Sequence, residues 1–554
     1  MRNFSFGTIV MMVAMMVPFI AKAQLAGGTY TINSGAATGG TNFISFGAAV
    51  TAMASGISGP VVFNVVAGSG PYTEQVTIGN ITNASATNTI KFNGNGATVQ
   101  YTATATYQGV LMMNGAKYVK IDSLTFKTLS VTYGTGAILY NTCNFDSLTR
   151  CTFDLGSVTS TVAANSQGIR ISSVANSTST TVSGATNSYF GYNKINGSTG
   201  TGSCYYGVFS YGPNNNNVFA YNLVQNFYYF GMYMYYGVAN KILYNTITRQ
   251  NKVNPYYYGH GVYAYYMNAG TQIVGNRIHT FQGTGFTTTY SYFYGLNLNY
   301  NIGTAADPFL VANNVMYNMP IYYGIYNYTS TNGQFNYILH NTIACDSVYA
   351  NTSPNYGMQL YYPTATMLVK NNLVSIRGGG TGTKYGVYTY PSFTTPNALS
   401  RNNVFVSTTQ PGTAYYSQYN NTNYSTFAAF QAANTGQEVG SVSVVPNFTA
   451  PGAGNFAPTN TAMFGNGANV QTLVPIDIIG QSRLAAPAPG AWEFQANGVN
   501  NAGMVSLVEP LGRYCPGAVP VKATIYNGGT NNITSVKVNW SLNGVVQTPI
   551  TYTG

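Results

Sequence analysis

The sequence predicts an all-β chain wound as a solenoid, and three observations carry the prediction. An apolar-apolar-x-Asn-x-apolar pattern recurs about every thirty residues from about Tyr192 onward. A Gly between an aromatic and an aliphatic residue recurs in phase with it. Charged residues make up only 6% of the 554, against about 25% in a typical domain. The polar surface is therefore made of Asn, Ser, Thr, Gly and Tyr, the palette of secreted repetitive β-proteins.

Taken from the amino terminus, Met1–Gln24 reads as a cleaved signal peptide. Arg2 gives a positive start, Ile9–Ile20 a mostly apolar core, and Ala21-Lys22-Ala23 a small-x-small cleavage site. The expected organisation is a signal peptide over 1–23, an amino-terminal cap with the first coils over 24–100, and repeats over 101–410. Last coils and a closing cap follow over 411–495, and an incomplete β-sandwich module over 496–554. No later segment holds about 18 consecutive apolar residues, so no transmembrane segment is expected after cleavage.

Removing Arg2 and Lys22 takes the formal charge from +11 to +9 (11 − 2). The excess is spread without any run of Lys or Arg, whereas nucleic-acid binding needs a concentrated basic stripe. Five cysteines (Cys143, Cys151, Cys204, Cys345 and Cys515) are too scattered for a disulfide framework. A Cys143–Cys151 pair and buried free thiols both stay open. No CxxC or histidine cluster marks a metal.

The Asn mark falls at 222, 245, 276, 313, 341, 371 and 402, with Asn193 of GYNKI before them. The successive separations are 29, 23, 31, 37, 28, 30 and 31 residues. The Gly mark reads Tyr206-Gly207-Val208, Phe230-Gly231-Met232, His260-Gly261-Val262, Tyr294-Gly295-Leu296, Tyr323-Gly324-Ile325, Tyr356-Gly357-Met358 and Tyr385-Gly386-Val387. Such a period means a solenoid or a propeller. The runs between marks are short, β-branched or aromatic, and bounded by Asn, Gly, Ser and Thr, so they are strands. Coil length varies, which a closed propeller tolerates poorly and a solenoid tolerates well. Asn accepts the left-handed bend between strands, and stacked amides hydrogen-bond from coil to coil.

On these residues the chain resembles the right-handed parallel β-helix of the pectate-lyase-like superfamily, with its internal asparagine ladder. Residues 28–78 resemble the amino-terminal cap of secreted bacterial β-helix proteins, with SFGAAVTAMAS as a short amphipathic helix over the first coil. VPNF (445–448), Asp477-x-x-Gly480-x-x-Arg483 and Gly490-Ala491-Trp492-Glu493 resemble the motif that closes such solenoids. This chain has Val445 and Ala488-Pro489 where the family carries Asp and Asp-Ile. About twelve coils are implied over 28–495. Beyond Phe494 the alternation of apolar and polar residues resembles the first strands of an immunoglobulin-like module, too short for a sandwich of about 100 residues, so further domains are expected beyond residue 554.

Strand side chains alternate, and the residue after each marker Gly is always aliphatic, so that column should point inward. Positions two and four after the Gly then point outward: Phe209, Tyr233, Tyr263, Asn297, Tyr326, Gln359 and Tyr388, then Tyr211, Tyr235, Tyr265, Asn299, Tyr328, Tyr361 and Tyr390. Eleven of these fourteen are aromatic, where the chain-wide 14% would give about two. Two ladders of rings side by side form either a structural stack or a surface for a partner such as a glycan. FYYFGMYMYYG (227–237) becomes one rung of that face.

Catalysis finds less support. Acids are few, and a superfamily hydrolase needs close carboxylates, a superfamily lyase a Ca²⁺-binding carboxylate cluster with an Arg or Lys base. Asp307 and Asp346 fall in different columns, while Asp122, Asp146 and Asp154 lie nearer each other in sequence, where a carboxylate site and turn caps both stay open. The weak candidates are Lys252, Arg277, His279 and His260, which with Arg249 could form one basic cluster, and His340 is expected to face solvent. The leading expectation is a secreted or cell-surface, non-catalytic adhesin or glycan-binding protein without cofactor. The alternatives are a polysaccharide lyase or glycoside hydrolase, Ca²⁺ entering only with the lyase, and a passive stalk.

Overall fold

Each repeat delivers three short β runs, and each run joins a different sheet. The computed structural model describes residues 23–106, 108–176, 178–200, 202–329, 334–346, 351–378, 380–494, 502–509, 520–527, 531–542 and 545–554. Residues 1–22 of the expected signal peptide, and Cys515, lie outside them. The coil around Asn245 shows the plan. Lys241–Leu243 lies in the first sheet, Thr246–Thr248 in the second and Tyr258–Asn268 in the third, each parallel to its counterparts in the coils above and below. The three sheets hold 14, 12 and 13 strands, giving a β-solenoid of about thirteen turns.

The interior is one continuous apolar column. The aliphatic residues after the marker glycines (Val208, Met232, Val262, Leu296, Ile325, Met358 and Val387) are 0–1% exposed. Phe190 stacks on Phe219 at 4.7 Å and Phe126 on Phe153 at 5.7 Å along it. Cys143, Cys151, Cys204 and Cys345 are buried free thiols, each pushed up to about 12 chiefly by burial.

Two residues turn the chain from the first sheet to the second: one left-handed residue, then an inward asparagine. The ladder runs through Asn193, Asn222, Asn245, Asn276, Asn314, Asn341, Asn372 and Asn402, each Nδ2 donating to the next Oδ1 at 2.9–3.2 Å. The ladder therefore uses Asn314 and Asn372, not the expected Asn313 and Asn371. Those two occupy the left-handed position instead, with φ of 56° and 59°. The ladder ends on the buried carboxylate of Glu438, which accepts from Asn402 Nδ2 at 3.2 Å.

The amino-terminal helix α1, Phe46–Ala52, starts on Ser45, whose hydroxyl accepts from Ala48 N, and buries Phe46 and Ala49. Glu74 accepts from the N–H groups of Phe46 and Gly47 at 3.0 and 2.8 Å, an acid at a helix start. A second helix, α2 (Phe427–Ala433), covers the last coil by burying Phe430 among Tyr416, Tyr419 and Tyr424.

The closing motif lies along the flank. Asn313 Nδ2 donates to Ile476 O at 2.8 Å, Ala491 N to Thr342 Oγ1 at 2.9 Å and Gly490 N to Asn371 O at 2.7 Å. Inside this strap Asp477 accepts from the N–H groups of Ile479, Gln481 and Glu493, while Arg483 pairs with Glu493 at 3.4 Å and donates to Asn313 Oδ1 at 2.7 Å. Beyond it, Ala502–Glu509 pairs antiparallel with Lys522–Asn527, and Ser535–Val538 with Ile550–Thr553. No helix among the described residues is long and apolar enough to cross a membrane.

Candidate functional site: an aromatic face on the third sheet

The marker glycine determines which side chains reach this face. A Cβ on Gly207, Gly231, Gly261, Gly295, Gly324 or Gly357 would meet the carbonyl oxygen of the next marker glycine at 2.4–2.7 Å. Only Gly lets the coils approach there. The pairing passes from Tyr206↔Phe230 directly to Val208↔Met232, so the glycine interrupts simple alternation and the aromatic residue before it also faces outward.

The face thus has three registered columns. The two expected ones run Phe209, Tyr233, Tyr263, Asn297, Tyr326, Gln359, Tyr388 and Tyr211, Tyr235, Tyr265, Asn299, Tyr328, Tyr361, Tyr390. Simple alternation misses the third: Tyr206, Phe230, His260, Tyr294, Tyr323, Tyr356, Tyr385 and Tyr415. Its signal was the ring that precedes every marker glycine. Successive centroids in this column are 4.4–5.5 Å apart across eight coils.

Both outer columns are interrupted at one coil by Asn297 and Asn299. There Asn299 Nδ2 donates to Asn297 Oδ1 at 2.6 Å, and Tyr300 leans in, its ring 5.3 Å from Tyr265 and 5.0 Å from Tyr328. Phe209 is 8% exposed, while Tyr211, Tyr233, Tyr235, Tyr263, Tyr265, Tyr326, Tyr328, Tyr361, Tyr388 and Tyr390 are half-buried. Stacking consumes most ring faces, so the surface shows ring edges and phenol hydroxyls. Burial, then neighbouring phenols, raises the pKa of Tyr206, Tyr233 and Tyr263 and pushes Tyr326 up to about 12. At neutral pH the face is an uncharged lattice of donors and acceptors.

The weak catalytic candidates fall in three places. His260 is a rung of the third column, stacked between Phe230 and Tyr294, and burial with the Arg249 charge lowers it to about 3. Lys252 is buried in the corner between the second and third sheets, donating to the carbonyls of Ser198, Gly202 and Asn226 at 3.2, 2.6 and 3.2 Å. Arg249 is buried in the same corner, 4.7 Å over Phe227 and bonded to the carbonyls of Tyr256, Tyr228 and Tyr258. Arg277 and His279 belong to the second sheet beneath the strap. Arg277 donates to Gly454 O at 3.0 Å and lies 5.3 Å over Trp492, and His279 stacks on Tyr317. Of the five residues that could form one basic cluster, Arg249, Lys252 and His260 are near enough for the Arg249 charge to lower the other two, and Arg277 and His279 lie apart.

His340, expected at the surface, is buried. It sits at the left-handed corner under the strap, Nε2 accepting from Asn371 Nδ2 at 2.9 Å and Nδ1 donating to Gly490 O at 3.2 Å. Burial, then Arg483, holds it well below the usual range. The acids serve as partners. Asp122 pairs with Arg150 at 2.5 Å and Asp346 with Arg377 at 2.7 Å, and Asp146 accepts from Val119 N at 2.8 Å. No group of three or more His, Cys, Asp or Glu able to hold a metal ion lies among the described residues.

Fold and face define a parallel β-solenoid with an uncharged aromatic surface. Among solved structures the chain is similar to the surface adhesin PfbA of Streptococcus pneumoniae, at 11% identity and a TM-score of 0.35 over 72% of this chain and 88% of that one. It is also similar to DFA-IIIase of Arthrobacter chlorophenolicus A6 without its lid, at 12% identity and 0.36 over 69% and 96%. A third likeness is to the Dettilon tailspike protein gp208, at 12% identity and 0.29 over 71% and 68%. These likenesses carry nothing about ligand chemistry. No protein-family model matches the chain, and no curated protein matches it.

Proposed function

We propose that the chain is a secreted or cell-surface protein of the right-handed pectate-lyase-like winding that binds glycan without catalysis, through the tyrosine-rich third sheet. The observation that supports this reading is the face itself: registered columns of half-buried, neutral phenols. Edges and hydroxyls repeat at the coil spacing of about 4.8 Å. Such a surface suits a ligand that also repeats, a polysaccharide lying along the axis, with weak contacts summed over many coils. A lyase or hydrolase would need ionisable groups converging on an open groove, whereas Lys252 and His260 are buried and Arg277 and His279 lie apart from them, half-buried beneath the strap.

Electrophoresis through gels containing individual polysaccharides tests the reading. The wild type should be retarded by at least one of them, and Tyr235→Ala/Tyr265→Ala should weaken that retardation about tenfold with unchanged circular dichroism. Equal retardation of both proteins in every gel would refute binding by this face, and release of unsaturated or shortened sugars would establish the enzyme alternative.

A further inference from the structure

At the carboxyl-terminal end of the winding lies a cleft of about 740 Å³, within the size range of small-molecule sites. It is lined by the last strand of the second sheet, Asn403–Val406, by the segment that follows it and by the start of α2. Phe405 stands on that strand in register with Ser375, and the second sheet ends there. The tyrosines of the third sheet spend their faces on one another. Phe405 lines the cleft, is half-buried and has no ring stacked on it among the described residues, which leaves ring surface toward the cleft.

Beside it Asp346 and Arg377 form a fixed polar pair. One Asp346 oxygen accepts from Arg377 at 2.7 Å and the other from Ser375 Oγ at 2.9 Å. Both side chains keep part of their surface open, 17% for Asp346 and 34% for Arg377. The pair cancels its own charge. Every other polar side chain lining the cleft is a hydroxyl or an amide, Ser407, Thr409 and Gln410 among them. A cleft with no net charge gives no purchase to an ion. An acceptor and a donor held side by side match two neighbouring hydroxyls, and an aromatic ring lining the cleft matches the apolar side of a sugar ring.

We propose that this terminal cleft is a binding site for neutral saccharide, separate from the tyrosine face and independent of its role. Titration calorimetry with neutral hexose oligosaccharides, and with polygalacturonate oligomers as the anionic control, tests it. The wild type should bind at least one neutral oligosaccharide. Phe405→Leu keeps apolar bulk without a ring face, and Asp346→Asn keeps the volume without the charge. Each should weaken binding about tenfold or more while melting like the wild type, and Tyr235→Ala/Tyr265→Ala should bind unchanged.

Failure of the wild type to bind any neutral oligosaccharide would overturn the proposal. So would binding confined to the anionic control, or wild-type affinity in both cleft variants. Loss only in the tyrosine double variant would also overturn it and assign the ligand to the face, so the two readings fail separately.

Discussion

Asn313 and Asn314 are chemically identical neighbours whose roles differ through one backbone angle. Asn313 takes the left-handed corner and turns its amide outward, donating to Ile476 O and accepting from Arg483. Asn314 turns inward and makes four ladder bonds of 2.8–3.0 Å, to Ile273 O, Asn276 N, Asn276 Nδ2 and Asn341. Asn314→Ala strands several buried partners and should cost about 2–4 kcal/mol, read from the urea midpoint. Asn313→Gly preserves the corner but drops both strap bonds, so it should leave that midpoint nearly unchanged while amides of 476–493 exchange faster. Comparable global destabilisation by both would show that the strap and winding unfold together. The sequence displayed the Asn column clearly, yet where two asparagines stood in a row spacing alone could not assign the left-handed residue.

The glycine column and the strap show how legibility depends on sequence distance. A marker glycine every coil was visible because its cause is local: a carbonyl of the adjacent coil occupies the place of a Cβ. Its effect on alternation stayed hidden, and with it the Tyr206–Tyr415 column. The strap was recognisable as a motif, but its seat was not, since His340 meets Gly490 across 150 residues. Arg277 and His279 therefore stood among the candidate catalytic residues, whereas Trp492 packs on the first and Tyr317 on the second, leaving both half-buried. Burial, then Arg277, lowers His279 to about 4. Trp492→Ala should loosen the strap from a winding that stays folded. His279, rehydrated, should then titrate at least one pH unit higher in its imidazole NMR signals, about 1.4 kcal/mol of relieved desolvation. An unmoved titration in a variant with a loosened strap would mean that the second sheet alone buries the ring.

At the scale of the whole molecule, a chain with ten acids and 49 tyrosines should answer pH mainly through phenols rather than carboxylates. Burial and neighbouring phenols raise Tyr233, Tyr263, Tyr294, Tyr323 and Tyr356 above the ordinary value, and Tyr326 reaches about 12. An acid whose folded pKa is raised keeps its proton where the unfolded chain has lost it. Its stabilisation is complete below about pH 10 and disappears as pH climbs through the raised values. Lys252 works in the opposite sense over a lower window. Burial, then Arg249, lowers it to about 7, so between there and about 10.4 the unfolded chain binds the extra proton and stability rises with pH. The four buried thiols, also raised to about 12, oppose Lys252 above about pH 8.5, so the melting temperature should climb gently from pH 7 to about 8.5, decline beyond it and fall steeply above about 10. Phenolate absorbance should rise in two stages, surface tyrosines first and the face tyrosines together with loss of circular dichroism. Tyr263→Phe/Tyr323→Phe should make the alkaline fall shallower. Complete phenol ionisation near pH 10 in a chain that keeps its β signal would show that the columns are open to solvent and do not hold their protons.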